Sequence, residues 1–327
     1  MAKFKVLLTG GAGFIGSNIA EALVSHPDID KVIVLDNLST GNEENISSLK
    51  SSSKFSFLKG DIRDFNTCLE ASSGTDLICH QAALGSVPRS ITDPITTHEV
   101  NSTGTLNVFY AAKENKIQKV IFASSSSVYG DNPALPKKEE NKGNPLSPYA
   151  VTKQTNELYA EAFSRSYNFN YIGFRYFNVF GPNQSPMGPY AAVIPLFIEN
   201  AIGNNSAVIH GDGSQSRDFT YVANVVQANL YAIFSDKKDA WNNLYNIAYG
   251  GKTTVLELYH LIMEAAKKKI SPQFAPSRNG DIPHSLADIS KARRLLSYAP
   301  GVSLGEGLKL TYDWFLKNQT LKKNTAV

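Results

Sequence analysis

Tyr149 and Lys153, with the serine run Ser124-Ser125-Ser126-Ser127, have the types and spacing to move a proton. Tyr149 and Lys153 lie four residues apart, and Ser147-Pro148 ahead of them is a helix-start signal, an N-cap serine followed by proline in the first turn. On the helix so begun, residues i and i+4 share a face, so the phenol and the ammonium point the same way. A free phenol titrates near ~10. Bringing it into use at neutral pH takes roughly 3 units, or about 4 kcal/mol, from nearby positive charge. A serine hydroxyl beside the phenol, drawn from the run Ser124-Ser125-Ser126-Ser127, completes a relay that can take a proton from a substrate alcohol. Tyr-x-x-x-Lys by itself describes many solvated helix faces, so its weight depends on what surrounds it.

What surrounds it is a succession of strands and helices. Lys5 to Thr9 has the pattern of a buried strand and runs directly into Gly10-Gly11-Ala12-Gly13-Phe14-Ile15-Gly16. Glycines at 10, 13 and 16 let the backbone turn tightly and approach a pyrophosphate seated on the N-terminus of the next helix. Ile15, Ile19 and Leu23 mark that helix, and Lys31 to Leu35 is a second strand ending at Asp36. Asp36 follows Gly16 at the ~20-residue offset of a ribose-binding acid. An acid followed by Asn37, without an arginine close in sequence, favours NAD over NADP. Further strands are expected at Phe55 to Leu58, Leu77 to Cys79, Lys119 to Ala123 and Tyr171 to Phe177. Asp61 is either a turn residue or a contact to the adenine end. The small residues after His80 leave room for a ligand at the sheet mouth, and His80 itself reads as structural. Helices are expected at about 92–115, with Asn101 bonding the sheet, and from Tyr149 to Ser166; residues 131–146 form a surface loop. Alternation of this kind indicates an α/β fold, a Rossmann-type doubly wound parallel sheet.

Beyond Asn178 prolines and glycines break the chain into shorter pieces, and Arg217-Asp218, Arg278 and Asp281 fall in polar loops suited to a diphosphate. The expected organisation is a dinucleotide-binding domain over 1–177, a smaller substrate lobe over 178–318 containing a helix from Leu304 to Leu316, and a frayed tail over 319–327. The 327 residues are 42% hydrophobic and 19% charged with net charge +3, ordinary for a globular protein and too weakly basic to make nucleic acid an expected partner. Lys267-Lys268-Lys269 reads as favourable charge at the end of its own helix. Cys68 and Cys79 read as reduced core thiols, no histidine spacing suggests a metal, and no apolar run reaches the ~20 residues of a membrane span. The expected location is cytoplasmic.

Thr9 to Gly16, Asp36-Asn37, Tyr149-x-x-x-Lys153 and Arg175-Tyr176-Phe177-Asn178 together resemble the extended short-chain dehydrogenase/reductases, specifically the nucleotide-sugar 4-epimerases. The stretches His80 to Ser90 and Gly143 to Tyr149 are similar to those of bacterial UDP-N-acetylglucosamine 4-epimerases. The resemblance implies a tightly held NAD, a UDP-sugar substrate and a homodimer formed through the helices at about 92–115 and 147–166. It implies cofactor contacts at Gly10, Gly13, Phe14, Ile15, Gly16, Asp36, Asn37, Ser39, Thr40, Gly41, Asp61, Ile62, Gln81, Ala82, Ala83, Tyr149, Lys153, Tyr176 and Val179. Substrate contacts are implied at Gly85, Ser86, Ser125, Ser126, Ser127, Tyr149, Asn178, Ala192, Val193, Ile194, Pro195, Arg217, Arg278, Asp281 and Ser285. A size gate falls on Ser285, where epimerases restricted to unacetylated hexoses carry a bulky aromatic; serine leaves space for a 2-acetamido group. Nucleotide-sugar dehydratases place an acid pair where this chain has Ser126 and Ser127, which cannot do that proton transfer. UDP-glucuronate and UDP-glucose-only 4-epimerases stay open as alternatives. A non-catalytic scaffold of the same fold typically lacks the tyrosine or the lysine, and both are present here.

Overall fold

The computed structural model describes residues 3–187, 191–277 and 283–325. At its centre lies a sheet of seven strands, all paired in parallel: β1 Phe4–Thr9, β2 Ile29–Asp36, β3 Phe55–Lys59, β4 Leu77–His80, β5 Lys119–Ser125, β6 Asn170–Tyr176 and β7 Asn243–Ile247. Their spatial order is β7-β6-β5-β4-β1-β2-β3, so the direction of winding reverses between β1 and β4. The first six strands are those expected. β7 is an addition, contributed by chain beyond residue 178, and its Asn243 and Asn246 disguise it as a loop.

The main helices are α1 Phe14–Ser25, α2 Phe65–Ser72, α3 Gly104–Glu114, α4 Pro148–Ser166, α5 Val193–Ile202, α6 Val222–Ile233, α7 Val255–Ala265 and α8 Leu304–Thr325. A parallel sheet covered on both faces reads as continuous apolar runs, because successive side chains enter opposite cores. Along β1, Val6 and Leu8 pack with Ile19 and Leu23 of α1 and Val225 and Ala228 of α6. Leu7 enters the other layer, with Cys68 of α2, Phe109 of α3 and Phe163 of α4. A third core joins α5, α7 and α8 through Phe197, Leu258, Ile262 and Tyr312, making the C-terminal helical lobe.

Three local expectations are corrected. The single helix at 92–115 begins earlier and is interrupted: Val87–Thr92 stops, Asp93 caps a new turn over Pro94–His98 by accepting from Thr96 N at 3.1 Å, and a π-type turn over Glu99–Thr103 leads into α3. Proline at the first position can start a helix but cannot continue one. Lys268 does not serve its own helix; its ammonium bonds Ala201 O at 2.5 Å and Asn204 Oδ1 at 2.6 Å, at the C-terminal end of α5. The final helix runs to Thr325 and does not stop near Leu316.

Candidate active site

A cleft of about 960 Å³ opens at the C-terminal ends of the strands, where an open sheet whose winding reverses leaves a crevice. At one end stands the glycine loop. Gly10 has φ +70, and a Cβ there would meet the Ala82 backbone at 2.6 Å; a Cβ on Gly16 would lie 2.1 Å from Gly10 O. The loop therefore folds back on itself only because these residues lack side chains. α1 begins at Gly13 with no side-chain cap, so the first-turn N–H groups, which a helix cannot satisfy from within, are left for an anion in the cleft lined by Phe14, Ile15 and Gly16. Asp36 is held by Ala12 N at 2.9 Å and Leu38 N at 2.8 Å. Asn37 donates to Asp61 Oδ2 at 2.9 Å, and Arg63, which does not line the cleft, closes on the same carboxylate at 2.7 Å. That arginine bond is the leading cause of the Asp61 carboxyl lying at about 2. Among the described residues Lys153 is the only cation on the cleft wall.

At the inner end, α4 presents the predicted pair. Ser147 Oγ accepts from Ala150 N at 3.2 Å and Pro148 occupies the first turn, so the helix starts where the capping signal places it. Tyr149 is half-buried and its hydroxyl lies beside Ser125. Ser125 Oγ in turn accepts from Ser127 N at 3.1 Å, which fixes the hydroxyl at the end of β5. Lys153 donates to Ala123 O at 2.8 Å, with its ammonium 5.9 Å from the Tyr149 ring centre. In the protein itself burial pushes the Tyr149 phenol up, opposed by the neighbouring Ser125 hydroxyl, and not down as the pairing with lysine alone suggests. Burial also pulls the Lys153 ammonium down to about 8, with Glu157 opposing.

His80 is structural, as read. Thr105 Oγ donates to Asn101 O at 2.6 Å, so it accepts from His80 Nε2 at 2.9 Å, and His80 Nδ1 accepts from Thr9 Oγ at 2.6 Å. Burial holds this imidazole neutral, near 3. Asn101 bonds no strand. It clamps the loop after β4, accepting from Leu84 N at 2.7 Å and donating to Leu84 O at 3.1 Å.

Of the residues singled out from sequence, Gly10, Gly13, Phe14, Ile15, Gly16, Asp36, Asn37, Ser39, Thr40, Asp61, Ile62, Gln81, Ala82, Ala83, Gly85, Ser125, Tyr149, Lys153, Tyr176, Asn178 and Val179 line the cleft together. Others stand elsewhere. Gly41 packs against the Ala12 backbone, where a Cβ would come within 2.9 Å. Ser86 has φ 125 and caps the helix at Val87, and Ser126 and Ser127 lie in the short turn Ser126–Tyr129. Ala192 to Pro195 form the start of α5, with Ile194 in the C-terminal core and Pro195 buried. Arg217 bonds Ser216 O at 2.9 Å, and Ser285 N bonds the same oxygen at 3.0 Å. Arg278 and Asp281 lie outside the described residues. The cleft also includes residues not anticipated: Asn45, which donates to Ala12 O at 2.9 Å, Gln184, and Trp314, Phe315 and Asn318 from α8.

A doubly wound parallel sheet with a glycine cradle at one end of its cleft and a serine-tyrosine-lysine group at the other is the arrangement of a dinucleotide-dependent enzyme. Residues 6–248 match the NAD dependent epimerase/dehydratase family, and the chain belongs to it. It is 37% identical over 313 residues to a UDP-glucose 4-epimerase of Mycolicibacterium smegmatis, covering 95% of this chain and 98% of that one. Among solved structures it is similar to the UDP-N-acetylglucosamine 4-epimerase of Methanobrevibacter ruminantium M1 in complex with UDP-N-acetylmuramic acid, at TM-score 0.91 and 41% identity over 97% of this chain and 100% of that one. It is also similar to the Thermus thermophilus UDP-glucose 4-epimerase complex with NAD, at TM-score 0.85 and 35% identity over 95% and 99%. Among the described residues no helix is long and apolar enough to cross a membrane, and no cluster of His, Cys, Asp and Glu could hold a metal.

Proposed function

We propose that the protein interconverts UDP-N-acetylglucosamine and UDP-N-acetylgalactosamine at C4, and UDP-glucose and UDP-galactose as well, with NAD retained through the cycle. The observation that carries this reading is Tyr149 beside Ser125 at the inner end of a cleft that also holds Lys153, with serines and no carboxylate in the turn that follows. The dinucleotide fits what is present: a glycine cradle that any Cβ would fill, uncapped first-turn N–H groups, and a fixed Asp36 carboxylate to accept from ribose hydroxyls. The cleft volume is at the top of the ~300–1,000 Å³ range of small-molecule sites, as a dinucleotide lying beside a nucleotide sugar requires. When bound, NAD supplies the reversible hydride acceptor for C4.

The chain's own residues handle the proton. Ser125 orients the sugar 4-hydroxyl toward Tyr149, which takes its proton. Lys153, anchored on Ala123 O, stabilises the phenolate. Return of both the hydride and the proton to the 4-keto sugar, after it has turned over, would complete the inversion without net redox change. A dehydration would need an acid and a base beside Tyr149, where this chain offers Ser126 and Ser127. A uronate substrate calls for a further cation on the wall, and Lys153 is the only one among the described residues. Homodimerisation is part of the reading, supported by the exposed apolar side chains of Tyr110 on α3 and Val151 and Leu158 on α4.

Incubating the purified protein separately with UDP-N-acetylglucosamine and UDP-glucose and resolving the products by chromatography tests the assignment. Both 4-epimers should appear, and Tyr149→Phe should cut turnover by at least ~10²-fold while circular dichroism stays that of the wild type. A 4-keto-6-deoxy product, or near-normal conversion by Tyr149→Phe, would overturn it.

A further inference from the structure

The face of α4 that carries Tyr149 and Lys153 continues, one turn further on, to Glu157, which is 3% exposed. Together these side chains meet the last three residues of β5. Tyr149 lies beside Ser125, Lys153 donates to Ala123 O at 2.8 Å, and Glu157 Oε1 accepts from Ser124 Oγ at 2.7 Å. From the neighbouring strand Arg175, paired in register with Ser124 and wholly buried, grips Glu157 as a fork, Nε to Oε1 at 2.8 Å and Nη2 to Oε2 at 2.8 Å. Arg175 Nη1 is in turn held by Tyr129 OH at 3.0 Å and Glu139 O at 2.9 Å.

We propose that Glu157, clamped by Arg175, is a positioning residue that sets α4 against the serine strand and supplies the anion facing the Lys153 ammonium. A one-residue slide of α4 would break the Lys153 and Glu157 bonds at once, whereas an apolar contact at this place would tolerate the slide. Serine at 124 matters for the same reason, because its hydroxyl is the other end of the Glu157 bond. The groups facing Lys153 are Tyr149 and Glu157 on its own helix and His80 on β4, which burial keeps neutral; Arg175 on β6 and Lys142, 3.4 Å from Glu157 Oε2, reach it only across the carboxylate. Glu157 is the one group in this set that favours the charged lysine, against a desolvation that lowers it to about 8.

The inference deepens the proposed function, and its test reads Lys153 directly. Lysine 13Cε resonances of the dinucleotide-free protein are titrated by NMR, with Lys153 assigned by Lys153→Arg. The variants are Glu157→Gln and the double variant Glu157→Met with Arg175→Met; a buried ion pair is often replaced by apolar side chains without loss of stability, so the double variant keeps the test open if the single one does not fold. Lys153 should titrate about one unit lower in whichever variants fold, and the alkaline limb of any epimerase activity should move down with it. An unchanged Lys153 titration in a folded variant, with activity falling only as folded protein is lost, would overturn the proposal and leave the pair a staple of the fold. Wild-type protein that converts no UDP-sugar while Lys153 still shifts would overturn the proposed function and support the role of Glu157.

Discussion

Replacing Lys153 by methionine should make the protein more stable and inactive at once. Burial lowers the ammonium from 10.5 to about 8. At about 1.36 kcal/mol per unit, the charged side chain therefore costs the folded state about 3 kcal/mol near pH 7. Methionine keeps an unbranched stem in the same space, and losing the 2.8 Å bond to Ala123 O returns about 1 kcal/mol. The net gain is about 2 kcal/mol near neutrality. Because the folded-state value lies below the unfolded one, the cost is complete below pH ~8 and fades as pH rises toward ~10.5. Urea unfolding of the dinucleotide-free proteins should thus show the variant ahead by about 2 kcal/mol near pH 7 and level with wild type near pH 10. Turnover should fall by at least ~10²-fold, since no cation remains beside the phenol. A variant less stable than wild type at neutral pH, with a difference that ignores pH, would refute the reasoning.

Two further outcomes are expected. Ser285 stands on a segment tied to Ser216 and Lys137 by backbone bonds; Ser285→Tyr should lower kcat/KM for UDP-N-acetylglucosamine at least ~10-fold more than for UDP-glucose, and an equal loss on both would remove the gate from that position. Gly16→Ala places a Cβ 2.1 Å from Gly10 O, a clash of backbone that only a shift of α1 relieves. NAD released from the purified variant by acid should fall to a small fraction of the wild-type stoichiometry; full retention would show that the glycine loop is not the cofactor's seat.

Much of this site is legible in the sequence alone. The glycine loop, the capped start of α4, the Tyr149–Lys153 face and the first six strands each depend on a dozen residues or fewer, within which backbone sterics, capping and side-chain period speak for themselves. β7 was not legible. Its Asn246 looks like a loop residue, yet it is buried and fully engaged, accepting from Tyr129 OH at 2.6 Å and donating to Lys137 O and Asp288 O at 2.8 and 3.0 Å. Lys268 looked like the end of its own helix and proved to close another. Trp314 and Phe315 reach the cleft from the far end of the chain.

The chemistry of Tyr149 divides along the same line. Residue types and spacing determined that a phenol, an amine and a hydroxyl would share one face. Only the tertiary structure decided that burial raises the phenol and lowers the amine, and that Glu157 and Arg175 stand behind them. Periodicity is carried within each segment, whereas desolvation and long-range pairing depend on which surfaces meet, and no local stretch of sequence records that.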